Sequence, residues 1–223
     1  MKKLISNLVL VLFMSLVVVG CKKKADEATT SEAKEVAVTE TSAEKYKVNA
    51  AESTIEWKGF KPTATHNGTI NIENGVFKVD NGMIKSGTFL IDMKSIVVLD
   101  LEGKAKSNLE SHLMGTVAGK EGDFFNTNQF PSALFEVTGS EVAEGGKTIL
   151  KGNLDLKGVK NNISFPVSIT QEGDMLKINS DAFTIDRTKW GANFGSKSIF
   201  DNLGDKFVND EIELKITVSA SKA

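Results

Sequence analysis

The chain has 223 residues, with 27 basic against 29 acidic side chains and a formal charge of −2. That balance offers no basic excess to follow a polyanion, which argues against a nucleic-acid partner. A single cysteine rules out an internal disulfide, and two histidines leave few soft ligands for a metal.

The N-terminus has the layout of a secretory signal peptide over residues 1–20: Met1-Lys2-Lys3, then Leu4 to Val19, apolar apart from Ser6, Asn7 and Ser15. At roughly 16 residues the apolar run is shorter than the ~20 a spanning helix needs. Val18-Val19-Gly20-Cys21 resembles a bacterial lipobox, in which the thiol is acylated and becomes the new N-terminus; Val18 stands where leucine is commoner. The other reading is an uncleaved signal anchor with an incidental Cys21. Both place the bulk of the chain outside the cytoplasm. The expectation is a lipoprotein of the cell envelope, facing the periplasm or the cell surface. Cleavage before Cys21 would remove Lys2 and Lys3 and leave 25 basic against 29 acidic side chains.

Residues 21–45 read as the lipidated cysteine and a flexible tether. The stretch has no aromatic residue, and its only sizeable apolar side chains are Val36 and Val38. Such a composition buries too little apolar surface to offset its ordering entropy. From Tyr46 to the end, the expected folded domain 46–223, the period changes to two. The fourth strand signal joins Ile70-Asn-Ile72 to the Val76–Val79 run, and Leu150-Lys-Gly152-Asn-Leu154-Asp-Leu156 alternates similarly. So do Ile163-Ser-Phe165-Pro-Val167-Ser-Ile169 and Ile212-Glu-Leu214-Lys-Ile216-Thr-Val218. Turn signals separate such runs at Asn74-Gly75, Asn81-Gly82, Gly145-Gly146, Lys157-Gly158 and Glu172-Gly173. Pro166 cannot donate to a ladder, so its strand is expected to be at an edge or irregular there. Leucines and an alanine spaced by four (Ala105, Leu109, Leu113) predict one helix over 102–114. About eight strands around one short helix describe an all-β antiparallel barrel or sandwich.

The inward set of that alternation includes Trp57, Phe77, Phe89, Ile91, Leu154, Phe165, Val167 and Phe183. An eight-stranded barrel is either filled by such side chains or holds one small ligand, and the pattern alone favours the filled core. Arg187 is the only arginine in the chain. Where lysine serves everywhere else, a planar guanidinium points to a clasp on carbonyls or on a carboxylate such as Asp186 or Asp123, with contact to a ligand's polar head as the alternative. His66 and His112 lack an acidic pair at ligand spacing, so no metal is expected. Phe124, Phe125, Phe130 and Phe135 cluster around Pro131, as a plug for one barrel end or as the rim of an entrance. No nucleophile elbow or phosphate loop is present, and no enzymatic activity is expected.

Several segments, in order, resemble the YceI-like lipid/polyisoprenoid-binding domain family. They are Trp57-Lys58-Gly59, His66-Asn67-Gly68, Ser86 to Ile96, His112-Leu113, Asp123-Phe124-Phe125, Phe130 to Phe135, Leu150 to Gly158, and Ile185-Asp186-Arg187-Thr188 with Gly191. The resemblance covers Tyr46 to the end and departs at Met114–Gly122, where the family spacing is tighter. It implies an extended eight-stranded antiparallel lipocalin-like barrel with an apolar cavity for an isoprenoid chain of quinone or polyprenol type, tipping the interior from packed core to lined pocket. On that implication Trp57, Phe77, Phe89, Ile91, Phe124, Phe125, Phe165, Phe183 and Arg187 are the ligand-binding candidates, with Cys21 the lipid anchor and no cofactor beyond the bound lipid. The protein is then a membrane-tethered lipid carrier or reservoir, its oligomeric state open and a dimer one option. The alternatives are a structural or stress-related envelope lipoprotein with a filled core, and an enzyme acting on a prenyl lipid through Arg187, His112 and Asp123.

Overall fold

A computed structural model describes residues 25–36, 43–143 and 146–223. The signal peptide, Cys21 and Gly145 lie outside the described residues. The strands are β1 (Asp26–Glu27), β2 (Thr29–Glu32), β3 (Glu44–Val48), β4 (Thr54–Lys61), β5 (Ala64–Asp80), β6 (Met83–Val98), β7 (Ser132–Val142), β8 (Thr148–Leu156), β9 (Val159–Glu172), β10 (Met175–Ser180), β11 (Phe183–Asp186) and β12 (Glu211–Lys222). The helix α1 (Gly103–Met114) falls where the leucine spacing predicts it.

Eight of these strands close a ring. β4 to β10 pair in sequence, and β12 pairs both β10 and β4. The ring is offset rather than a regular barrel. β3 takes over from β4, pairing the end of β12 through Ala220–Lys222 and β5 through Val76–Val79. β11 takes over from β10 along β12, through Leu214 to Glu211.

Alternation becomes structure where one face is wet. Leu150, Leu154 and Leu156 on β8, Ile163, Phe165 and Val167 on β9, and Val218 and Ala220 on β12 are all buried. Asn81-Gly82 and Lys157-Gly158 make two-residue hairpins, each with both residues at positive φ (50° and 72°, 55° and 76°). Asn74-Gly75, expected as a turn, is instead inside β5. A register shift between Ile72 and Asn74 marks a bulge, and a Cβ on Gly75 would sit 2.8 Å from Val48 and 2.9 Å from Phe89. The local dipeptide signal is real, but it bends a 17-residue strand around the barrel instead of ending it. Pro166 pairs with Ile149 on one side; on the other, pairing to β2 stops at Ser164 and pairing to β10 starts at Val167. The proline therefore occupies the interval in which no ladder bond is required of it.

The expected tether corrects the sequence reading most. Its residues 26–32 join the sheet: β1 runs parallel to β11, with Asp26 opposite Phe183, and β2 runs antiparallel to β9, with Thr29 opposite Ser164. They fill the seam where β9 and β11 part. The reason is main-chain bonding, not hydrophobic burial, since Ala28 is the only buried side chain of the segment. Beyond β2, the Lys34 amide donates to Asn153 Oδ1 at 3.0 Å, and Asn153 Nδ2 donates to the Lys34 carbonyl at 2.7 Å. Asn162 completes this ladder, donating to Asn153 Oδ1 and to Thr138 Oγ1, each at 3.0 Å.

Candidate functional site

The ring encloses two adjoining cavities, an inner one of about 110 Å3 and an outer one of about 190 Å3, which share Ile70, Phe125, Ile212 and Leu214 in their walls. Each is several-fold larger than the ~10–15 Å3 that one water needs. The inner chamber has only apolar lining, including Phe89, Ile91, Phe135, Leu154, Phe165 and Phe183. An aromatic file runs through its wall: Phe89, Phe135, Phe165 and Phe183 follow one another at centroid distances of 6.3, 5.9 and 4.3 Å. Phe77 continues the file beyond Phe89 at 5.6 Å and stacks on Tyr46 at 5.7 Å.

The outer chamber opens at the other end, between α1, the 115–131 connection and the segment after β11. Its walls include Trp57, Leu109, His112, Phe124, Phe194 and Val208. Ala105, grouped with the helix's inward row by spacing, is exposed, whereas Leu109 lines this chamber and Leu113 also reaches it. The segment after α1 folds back through bonds from the Phe125 amide to the Leu113 carbonyl (3.1 Å) and from the Thr127 amide to the Met114 carbonyl (2.7 Å). This return places Phe124 in the outer wall and Phe125 between the chambers. Phe130 instead covers the hairpin at Gly158, where a Cβ would approach its ring to 2.8 Å. The phenylalanine cluster therefore serves partition, wall and rim, not a single plug.

Of the sequence candidates, Phe89, Ile91, Phe165 and Phe183 line the inner chamber, Trp57, Phe124 and Arg187 the outer, and Phe125 both. Phe77 does not line either chamber. Its inward orientation follows from the alternation, but it sits at the closed end with Tyr46 on one face and Phe89 on the other, fully buried. The sequence identifies an inward face; it does not say how far along the barrel the packed core ends.

Arg187 is 1 % exposed and is committed to backbone. Its Nε donates to the Asn209 carbonyl (3.0 Å), Nη1 to that of Ala192, and Nη2 to those of Phe194 (2.9 Å) and Val208 (3.1 Å). The facing carboxylate is Asp210 at 3.8 Å, not Asp186 or Asp123. Asp186 instead caps the following turn through the Thr188 amide and hydroxyl, and Asp123 accepts from His112. Burial pushes the guanidinium below its ordinary pKa, while Asp210 and Asp186 oppose that shift. The clasp ties together both stems of the segment between Ala192 and Asn209.

Both histidines have an aspartate partner that sequence spacing did not reveal. His112 Nε2 lies 2.7 Å from Asp123, and its ring packs edge-on against Phe124 and Phe194 at 5.0 and 4.7 Å. His66 Nδ1 lies 2.7 Å from Asp100, 34 residues away in sequence. Burial raises the Asp100 pKa, but the Asn67 amide and His66 outweigh it and hold the carboxyl below its ordinary range. Among the described residues no group of three metal-ligating side chains converges. Lys157 fastens the rim by donating to the carbonyls of Gly122 (2.7 Å) and Gly191 (2.6 Å), and burial lowers its pKa.

A closed but offset antiparallel ring around an apolar double chamber defines an all-β, barrel-like fold. The chain belongs to the YceI-like domain family, whose model matches residues 46–220. Similar folds occur in BcnA of Burkholderia cenocepacia (23 % identity, TM-score 0.58, 78 % of this chain and 99 % of that one). They occur too in a polyisoprenoid binding domain from Saccharophagus degradans implicated in plant cell wall breakdown (12 % identity, TM-score 0.56, 80 % and 98 %). No curated protein matches the sequence.

Proposed function

We propose that the barrel binds a neutral isoprenoid-type lipid, of prenyl quinone or polyprenol class, with its chain in the inner chamber and its polar end in the outer one. The carrying observation is the contrast between the chambers: the inner lining is wholly apolar, and polar groups appear only in the outer. Burial of an apolar chain is favourable by about 25 cal/mol per Å2, enough to retain a water-insoluble tail. The S. degradans neighbour, a polyisoprenoid binding domain, supports the class of ligand.

The polar inventory favours a neutral head over a phosphate. Arg187 has given its N–H groups to four carbonyls, His66 and His112 face aspartates, and the remaining cation of the outer wall, Lys61, is an exposed side chain at its edge. Trp57 Nε1 is buried without a partner on a side chain of the outer wall, and one acceptor oxygen on the ligand would satisfy it. The role is binding rather than catalysis. With Cys21 acylated, the protein acts as a membrane-tethered carrier or reservoir in the cell envelope.

The test is native mass spectrometry with organic extraction on the full chain carrying Cys21→Ser, expressed in a bacterium and purified without detergent. A co-purifying prenyl quinone or polyprenol is expected. An empty protein whose melting ignores added isoprenoids overturns the reading and makes the interior a filled core.

A further inference from the structure

The wall of the inner chamber contains a seam. β9 pairs β8 on one side; on the other, its pairing with β10 ends at Val167, and β11 follows β12 instead. At the other end of the gap Asn161 Nδ2 donates to the Lys189 carbonyl at 3.0 Å. From Asn161 to Val167 the gap is roughly 20 Å long at the rise of a strand. Its inner face is chamber lining: Ile163 and Phe165 on one side, Phe183 and Ile185 on the other, with Phe165 stacked on Phe183 at 4.3 Å. Its outer face is covered by residues 26–32, which cross from β11 to β9. This strap is lightly anchored. Ala28 is its one buried side chain, and it holds by main-chain bonds, such as the Ala28 amide to the Thr184 carbonyl (2.8 Å), and by the Asn153 grip on Lys34. The Glu27–Lys189 pair at 3.5 Å is exposed and adds little. Main-chain bonds exchange for bonds to water at small net cost, and a segment with so little apolar surface is among the first to open. Thr184, opposite Glu27, points outward between the inward Phe183 and Ile185, yet it is 3 % exposed and its hydroxyl is buried without a partner. Water would satisfy that hydroxyl once the strap left.

We propose that residues 26–32 are a detachable seal on a lateral entrance to the inner chamber, and that an apolar chain enters and leaves through this seam rather than along the barrel axis. The route rests on the lipid-binding reading for its purpose; the detachment of the strap does not. The axial route is obstructed. From the mouth, the inner chamber lies behind Phe125, which lines both chambers and is held by the bond from its amide to the Leu113 carbonyl. Through the seam, the strap and the Phe165–Phe183 stack intervene, and two stacked rings swing aside without breaking a hydrogen bond. The strap also leaves without opening the ring, because β4 to β10 and β12 close it among themselves. A chain entering from the side reaches the apolar chamber directly and need not thread the polar outer one. The strap precedes residues 46–220, the span of the family domain, so the seal is a device of this chain's N-terminal segment.

The test fastens the strap in the full chain carrying Cys21→Ser. Thr29 and Ser164 are opposite each other in the register, on the outer face, so Thr29→Cys/Ser164→Cys can be joined by a disulfide away from the chamber. The probe is all-trans-retinol, a neutral isoprenoid with its own fluorescence, followed by stopped-flow uptake and release. Oxidation of the pair is expected to slow both rates at least about tenfold at unchanged affinity, and reductant to restore them. Asn153→Ala, which frees the far end of the strap, is expected to quicken both by about threefold to tenfold. A parent that takes up retinol while the oxidised pair exchanges it at the parent rate overturns the lateral entrance and leaves the lipid reading standing. Hydrogen exchange judges the strap without ligand. Residues 26–32 and the strap-facing amides of 161–164 are expected to exchange as one group, ahead of β8, and to slow when the disulfide forms. Exchange of that group only through global unfolding overturns the proposal. A parent that takes up neither retinol nor a prenyl quinone overturns the lipid reading, and grouped exchange then still supports the detachable strap.

Discussion

The closed end of the barrel and its mouth are held by different chemistry. At the closed end Tyr46, Phe77 and Phe89 stack in series, and none of the three exposes appreciable surface. At the mouth, long connections take their shape from polar side chains that bind backbone: Arg187 on four carbonyls, Lys157 on two, and Asp123 holding His112. Dispersion and burial are non-directional and fill space, which suits an end that only has to be shut. Directional bonds to carbonyls fix irregular backbone without filling the chamber between, which suits an opening.

Substitutions at the two ends should separate these mechanisms. The largest effect is expected from Phe77→Ala, which leaves a cavity between two stacked rings and should cost about 3–5 kcal/mol in denaturant unfolding, with the outer chamber unchanged. Equal stability of this variant would mean that the closed end is not the packed anchor described. Arg187→Lys keeps the charge but cannot reach four carbonyls, and a loss of about 3 kcal/mol is expected. Hydrogen exchange should quicken selectively between Ala192 and Asn209; a stable variant that loses only ligand would assign the guanidinium to the head group instead.

Smaller effects sharpen the contrast. Asn153→Ala removes the two-point grip on Lys34 and should cost about 1–2 kcal/mol, seen as faster exchange of residues 26–34 while the amides of β8 stay protected. Asp100 gives a pH signature. Its folded pKa lies below the ordinary value of 3.8, so its stabilisation is complete above that value and disappears as the pH falls through the lower folded one. Thermal unfolding followed into the acid range should show this loss, and His66→Gln should reduce it; an unchanged acid limb in that variant would remove the histidine from the account.

The parts legible in the sequence are those where side chains carry the periodicity. The half-buried strands alternate because one face is wet, and Trp57, Phe89, Ile91, Phe165 and Phe183 reach a chamber from strands for that reason, whereas Phe124, Phe125 and Arg187 reach one from the connections, where no period announces it. What escaped notice was held by backbone. β1 and β2 bury one alanine and make their bonds through amides and carbonyls, which any composition supplies. The Asn153–Lys34 grip spans 119 residues, and no local pattern announces it. Asn74-Gly75 reads as a turn, but Gly75 serves the close approach of Val48 and Phe89 beside a bulge, which the dipeptide does not distinguish from a turn.

The seam strands also bear on how the chain assembles. Asp26 and Glu27 have no place to pair until β11 exists, and β11 is itself held by β12, the last strand of the chain. Ring closure likewise awaits β12 against β4. The order of synthesis and the order of docking are therefore opposed, and contacts across most of the chain length make this a slow-folding topology. β1, made near the start of translation, settles only after the end has been made, so in pulse-labelled refolding residues 26–28 should gain protection last.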